Sequence, residues 1–235
     1  MGNSYFRFKT FRISQALNAQ KVSETACIQG AWTPIPEACH EILDMGSGTG
    51  LLALMIVTRK RDARITMLEV NPLNFQEGKE NVLNSDYASS FNPVLADVRV
   101  FQPENRFDLI ITNPPFFEGQ LLSPNPHYNQ ARHSSDLSLN ELFSSIAFLL
   151  QPDGLCSVLF PADRETELLT CAALHALYPE QILYVHHSSR HVARVIVVLF
   201  KTQINETKQR HFFIREGTAY SEEMKMLMQP YYLSL

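Results

Sequence analysis

The stretch Glu41-Ile42-Leu43-Asp44-Met45-Gly46-Ser47-Gly48-Thr49-Gly50, followed by Leu51-Leu52-Ala53-Leu54-Met55-Ile56-Val57, constrains the fold more than any other part of this chain. A short apolar run enters a turn with glycine at alternate positions, and a wholly apolar run leaves it. The first run has the length of a buried strand and the second reads as a buried helix. Glycine allows tight backbone turns and lets the main chain approach a ligand closely. In doubly wound α/β folds the ligand sits at such a strand-to-helix turn, near where strand order reverses. The spacing Gly-x-Gly-x-Gly differs from the Gly-x-Gly-x-x-Gly of dinucleotide binders, and no Walker lysine accompanies it. The loop alone does not name a cofactor.

Three further strands end in polar groups. Arg64 to Val70 reads as the next strand, and its Glu69 follows Asp44 at about the ~20-residue separation of a ribose-binding carboxylate. Glu69 can accept both hydroxyls of a ribose; a helix cap or an exposed charge is the alternative. Val94-Leu95-Ala96-Asp97-Val98 is another short strand ending in an acid. Asp97 can accept the amino group of a cofactor's adenine, or simply cap a turn. The apolar run Phe107 to Thr112 is stopped by Asn113-Pro114-Pro115-Phe116, because proline lacks a backbone donor and fixes φ. That turn gathers an amide, free carbonyls and an aromatic ring at a strand's carboxyl end. Asn113 and the Pro114 carbonyl can accept the two hydrogens of an exocyclic amine, with Pro115 lining the site and Phe116 stacking on the base. Asn113 also borders the cofactor. An ordinary strand-ending turn has the same composition.

In order, the glycine loop with Asp44, then Glu69, Asp97 and Asn113-Pro114-Pro115-Phe116, resemble a class I S-adenosylmethionine-dependent methyltransferase of the amino-methylating group. At the amino end, Phe6 to Ile13 and Lys21-Val22-Ser23-Glu24-Thr25 through Trp32 resemble the bacterial valine-tRNA adenine-N6 methyltransferase family. The close, Tyr220-Ser221-Glu222-Glu223 through Pro230-Tyr231-Tyr232-Leu233, resembles that family's terminal helix and aromatic ending. The resemblance implies S-adenosyl-L-methionine as cofactor, a tRNA substrate and N6-methyladenosine at position 37 as product. It implies Asn113, Pro114 and Phe116 as catalytic groups, and Lys21, Asp44, Gly46, Gly48, Gly50, Glu69, Asp97 and Asn113 around the cofactor. Ser23-Glu24-Thr25 departs from the family's usual Gly-Thr-Asp, close to the expected cofactor lid. The expected division is an amino-terminal segment and lid over 1–34 and a catalytic domain over 35–235.

The remaining sequence is compatible. A chain of 235 residues with 45% apolar and 19% charged residues can bury a sizeable core. There is no secretory signal and no run long enough to cross a bilayer, so a cytoplasmic monomer without metal is expected. The four cysteines show no metal-type spacing and are expected as reduced thiols. Ser138 to Gln151 has helical spacing and ends at the turn Pro152-Asp153-Gly154; Leu155 to Phe160 is a strand, and a helix spans about Glu165 to Leu177. Ile182 to His187 and Ala193 to Phe200 read as strands joined by a polar turn, which forces one of them antiparallel. The fold class expected is α/β, a doubly wound, Rossmann-like seven-stranded sheet, mostly parallel with an antiparallel terminal hairpin strand.

The polar stretch from Phe117 to Asp136 is long enough to be a functional loop, with Arg132 and His133 as candidates for phosphate or ribose contact. A solvated loop with incidental charge is the alternative. A net charge of −4 gives no global attraction for nucleic acid. Local basic groups occur at Arg7, Lys9 and Arg12; at Arg59, Lys60, Arg61 and Arg64; at Arg190, His191 and Arg194; and at Lys201, Lys208, Arg210 and Arg215. The competing functions are guanine-N2 methylation of ribosomal RNA, methylation of DNA adenine or protein glutamine, a cofactor-binding RNA module without turnover, and a nicotinamide oxidoreductase.

Overall fold

The computed structural model describes residues 4–17, 21–114 and 137–234. A hairpin of β1 (Tyr5–Arg7) and β2 (Arg12–Ser14) leads to helix α1 (Glu24–Trp32). Next come β3 (Glu41–Met45), α2 (Leu51–Val57), β4 (Arg64–Glu69), α3 (Pro72–Leu83), β5 (Phe91–Leu95) and β6 (Phe107–Thr112). After residue 137 follow α4 (Leu139–Leu149), β7 (Leu150–Pro161), α5 (Glu165–Leu174), β8 (Tyr178–His186), β9 (Ala193–Lys201) and β10 (Lys208–Phe213). A ribbon of β11 (Arg215–Glu216) and β12 (Ala219–Tyr220) and a terminal helix α6 (Glu222–Met228) complete the described chain.

The central sheet has eight strands in the order β10-β8-β9-β7-β6-β3-β4-β5. Every pairing in it is parallel except those of β9, which runs against both β7 and β8. The doubly wound, mostly parallel architecture is therefore as the strand pattern predicts, with one strand more. That strand, β10, is polar along most of its length and lies at the sheet edge, so it carries no apolar run to announce it.

Alternation along the strands divides the core into two layers. Ile42, Leu109, Ile111, Leu183 and Val185 pack with α1, α2 and α6 on one face. Leu43, Ile110, Ile182 and Phe200 pack with α4 and α5 on the other. Helix α4 begins where its cap dictates. Ser138 Oγ accepts from the Glu141 N–H at 3.2 Å, and Glu141 Oε2 accepts from the Ser138 N–H at 2.8 Å.

Pro152-Asp153-Gly154 does not separate helix from strand as expected; β7 already starts at Leu150. Its register with β6 jumps from Phe107↔Leu150 to Leu109↔Leu155, so those residues form an irregularity within the strand. Helix α5 stops at Leu174, shorter than expected, because Tyr178 already pairs with Lys201 of β9.

The two ends of the described chain meet. Phe8 is buried between Phe6, Phe11 and Tyr232, with ring centroids 4.5–6.0 Å apart, and the Lys9 N–H donates to the Tyr231 carbonyl at 2.8 Å. Ser23, in the segment that departs from the family pattern, caps α1 by accepting from the Ala26 N–H at 3.2 Å. Glu24 accepts from the Tyr220 hydroxyl at 2.7 Å, which ties α1 to β12. The four cysteines are unpaired thiols, and burial pushes Cys27 and Cys39 up to about 12. Among the described residues no helix is long and apolar enough to cross a membrane, and no group of three or more His, Cys, Asp or Glu could hold a metal ion.

Candidate active site

Strand order reverses at β3, which has β4 on one side and β6 on the other. Met45, Leu68 and Thr112 stand level in the register, so Gly46, Glu69 and Asn113 emerge side by side from three adjacent strands. At the ~4.8 Å spacing of strands, Glu69 and Asn113 are roughly 10 Å apart across the glycine loop. This is the crevice where open α/β sheets bind their ligands.

The loop turns through φ values of +73° at Gly46, +50° at Gly48 and +77° at Gly50, a region that residues with a Cβ enter at a cost. Gly46 and Ser47 donate their N–H groups to the Leu68 carbonyl at 2.8 and 3.0 Å, and Gly48 donates to Glu69 Oε2 at 3.0 Å. Glu69 Oε1 accepts from the Asn71 N–H at 2.8 Å. Each oxygen of this buried carboxylate thus has one backbone partner and a lone pair to spare. Glu69 serves the loop as well as any ligand.

Asp44 is buried beneath the loop, where Oδ2 accepts from the Ala53 N–H in the first turn of α2 at 3.0 Å. Its Oδ1 is buried with no partner among the described residues. Burial raises its pKa to about 7, the Ala53 N–H opposes that, and the charge of Glu69 adds to it. An acid whose folded pKa exceeds its usual 3.8 binds its proton more tightly when folded, so the contribution of Asp44 to stability is fully present below about pH 3.8 and is lost as pH rises to about 7. Asp44→Asn is expected to remove this decline, which amounts to a few kcal/mol at the order-of-magnitude level. Thermal melts of ligand-free wild type and variant between pH 5 and 8.5 measure it; parallel Tm–pH curves would contradict it.

Asn113 follows β6 directly. Its Oδ1 is also buried without a partner among the described residues, an unusual state for a polar atom unless a ligand completes it. The backbone beneath it is held from two sides. Thr112 Oγ1 donates to the Met45 carbonyl at 2.8 Å, and Gln29 Nε2 of α1 donates to the Thr112 carbonyl at 2.9 Å. Gln29 Nε2 also lies 3.3 Å from the Ser157 carbonyl, and Thr33 Oγ1 is 2.7 Å from Ser157 Oγ. Gln29→Leu would leave these carbonyls buried without that donor, so a loss of about 1–3 kcal/mol is expected. An unchanged denaturation midpoint would refute this.

Asp97 lies just beyond β5, part-exposed, with both oxygens engaged by Arg99: Nε is 3.0 Å from each. The Arg99 hydrogen bonds hold the Asp97 carboxyl below its usual range, and Arg99 also reaches Glu141 of α4 at 3.5 Å. Lys21 is exposed ahead of α1. Pro114 is buried at the end of the site, while Pro115, Phe116, Arg132 and His133 lie outside the described residues. The structure thus joins Asp44, the glycine loop, Glu69 and Asn113 at one crevice.

Sequence reading missed Gln29, Thr33 and Ser157, and also Glu77 and Asn81 of α3. Glu77 Oε1 accepts from the Ala16 and Leu17 N–H groups at 2.6 and 3.0 Å. Asn81 Nδ2 donates to the Ser14 and Thr49 carbonyls, both at 2.9 Å. The only signal was a polar residue at a position that packing buries. S-adenosylmethionine needs acceptors for its ammonium and ribose hydroxyls and a surface free of side chains. The orphaned Asp44 Oδ1, the Glu69 carboxylate and the glycine turn fit that requirement.

A family profile described as methyltransferase small domain matches residues 33–154. A protein of Dyadobacter fermentans named tRNA1(Val) (adenine(37)-N6)-methyltransferase is 33% identical over 98% of both chains. One of Bacteroides thetaiotaomicron with the same name is 33% identical over the whole of both. Among solved structures, a protein of Agrobacterium tumefaciens titled a predicted O-methyltransferase superposes with a TM-score of 0.68 at 14% identity, covering 87% of this chain and 95% of its own, a likeness of fold alone. With its glycine crevice, strand-end acids and full-length relatives, the chain belongs to the methyltransferase small domain family and, within it, to the tRNA1(Val) (adenine(37)-N6)-methyltransferases.

Proposed function

We propose that this chain methylates the exocyclic N6 amine of adenosine 37 in valine tRNA, acting as a cytoplasmic monomer with S-adenosyl-L-methionine as donor. The observation that carries this reading is Asn113 Oδ1, a buried acceptor without a partner, one strand from the glycine loop.

S-adenosylmethionine, when bound, supplies a methyl group on a positively charged sulfur that needs no further activation. Asp44 and the glycine turn receive its amino-acid end and Glu69 its ribose; Asp97, oriented by Arg99, receives its adenine. Lys21 approaches from the segment before α1. What the chain contributes to the reaction is mainly position and fixed dipoles. An aromatic amine is a poor nucleophile because its lone pair is delocalised into the ring. Asn113 Oδ1 and the Pro114 carbonyl each accept one hydrogen of that amine, which draws it towards a tetrahedral geometry and frees the lone pair. Phe116 holds the base by stacking, a contact worth ~1–3 kcal/mol. Pro115 completes the wall, and Arg132 and His133 contact the flanking backbone. The surplus proton on the product leaves to water, so no strong general base is required.

Mass spectrometry of tRNA nucleosides from cells with and without the protein tests the reading. N6-methyladenosine confined to position 37 of valine tRNA is expected. Its absence, or a gain of N2-methylguanosine in ribosomal RNA instead, would overturn the assignment.

A further inference from the structure

Building on the proposed RNA substrate, we infer that the turn joining β8 and β9, residues 187–192, with the ring ladder beside it, docks the sugar–phosphate backbone of that RNA. A chain of net charge −4 can hold a polyanion only through local groups that its own carboxylates do not already neutralise.

Ion pairs neutralise several basic groups; among the described residues the β8–β9 turn keeps its arginines unpaired, as does the amino-terminal group of Arg7, Lys9 and Arg12. Arg64 pairs with Glu41, Lys60 with Asp62, Lys201 with Glu180, Arg210 with Glu223 and Arg215 with Glu24. Arg59 donates to the Gly30 and Ala31 carbonyls, Lys9 to the Gln229 carbonyl, and Arg12 lies over the Tyr5 ring. Arg190 and Arg194 are exposed and make no ion pair among the described residues, and His187, His191 and His211 are exposed beside them in sequence or register. Asp163, just after β7, and Glu165, which already accepts from the Tyr184 hydroxyl at 2.9 Å, form no ion pair with either arginine. Glu216 follows Arg215, whose N–H donates to the His187 carbonyl at 2.9 Å.

The turn is braced. His186 Nδ1 lies 2.8 Å from the His191 carbonyl, which can only accept, so that nitrogen carries its proton. In the neutral ring His186 Nε2 then accepts from His211 Nδ1, 2.8 Å away. Ser188 Oγ is 2.8 Å from His191 Nδ1, and the His191 N–H donates to the Ser188 carbonyl at 3.0 Å. A turn held this way loses little freedom on binding. Beside it, Tyr184 and His186 of β8 and His211 and Phe213 of β10 occupy alternate positions and share one sheet face. Tyr184 stacks on His211 with centroids 5.0 Å apart, and His186 on Phe213 at 4.8 Å. His186 and His211, 5.1 Å apart, join the two pairs into one ladder of rings that stiffens the base of the turn.

Position supports the same reading. Strand β8 runs in the direction of β6, so its carboxyl end lies on the sheet edge that carries Asn113. Three strand spacings separate them sideways, roughly 14 Å, and the register carries His186 four residues beyond the level of Thr112, so the separation is roughly 19 Å. One RNA hairpin covers both.

The test is steady-state methylation of valine tRNA, with tRNA binding followed across a salt series. Arg190→Ala/Arg194→Ala is expected to raise KM for tRNA roughly 10-fold at unchanged kcat, and to flatten the log K against log salt slope by about 2. Arg190→Lys/Arg194→Lys keeps most of the affinity, and Lys208→Ala, at the opposite end of β10, changes nothing. Calorimetry with S-adenosylhomocysteine identifies a misfolded variant, and Arg190→Gln/Arg194→Gln then carries the test: a raised KM and a flattened salt slope support docking by charge, and wild-type values oppose it. If the wild type methylates tRNA while the alanine pair leaves KM and slope unaltered, this surface is not the dock. A wild type that methylates no tRNA overturns the proposed function and this inference together.

Discussion

Asn113→Ala is expected to lose turnover by roughly 10²-fold or more while S-adenosylhomocysteine affinity hardly changes. The amide's Oδ1 has no partner among the described residues, so nothing in the cofactor cradle depends on it. The turn itself is anchored below the side chain, by Thr112 Oγ1 on the Met45 carbonyl and by Gln29 on the Thr112 carbonyl. Removing an unsatisfied buried acceptor should leave stability unchanged or slightly raised. The signature is therefore collapsed turnover with an intact or higher Tm, as expected where a site is kept for function at a cost in stability. Single-turnover methylation and calorimetry read the two halves. A variant retaining more than a tenth of the wild-type rate would remove Asn113 from the mechanism.

Gly78→Ala should cost both stability and cofactor affinity, although helix propensity points the other way. In the interior of a helix this change normally gains about 1 kcal/mol. Here a Cβ at Gly78 would fall inside the Gly48 carbonyl oxygen, which is main chain and cannot rotate aside. Gly48 also donates its N–H to Glu69, so retreat of the loop breaks that bond. Helix α3 is held against the loop by Asn81, which bonds the Thr49 carbonyl, so the helix cannot easily withdraw. Overpacking of this kind costs about 1–3 kcal/mol, and contact with backbone puts it at the upper end. At 2–4 °C per kcal/mol for a domain of this size, Tm should fall by roughly 4–12 °C. S-adenosylhomocysteine affinity should fall at least ~10-fold, since the displaced loop is the binding surface. A Tm at or above wild type would show that propensity prevails.

Parts of the site were legible because their chemistry is local. Alternating glycines between two apolar runs leave few alternatives to a strand–turn–helix, and Asp44 and Glu69 stand at strand ends. Two prolines after Thr112 stop a strand without help from the rest of the chain. Other parts were not legible. Arg99 takes both oxygens of Asp97, which from the sequence read as an acceptor for the cofactor's adenine or a turn cap; its Oδ1 does cap the turn, accepting from the Arg99 N–H at 2.9 Å. Strand β10 is an edge strand whose polar residues face solvent, so its pairing with β8 left no apolar alternation to read. The irregularity at Pro152 to Gly154 resembled a turn because the residues that make turns also make bulges.

By itself the sequence determined the glycine turn, the apolar strands around it and the polar groups at the carboxyl ends of β3, β4 and β6, because periodicity, glycine and proline act over a few residues. Only the tertiary structure decided that Gly46, Glu69 and Asn113 stand level on adjacent strands, that Gln29 reaches across 83 positions of chain to hold Thr112, and that Gly78 must lack a side chain. These depend on strand register and on helix-to-loop distance. Both are set by how two buried layers pack around one sheet, and residues distant in the chain determine that jointly.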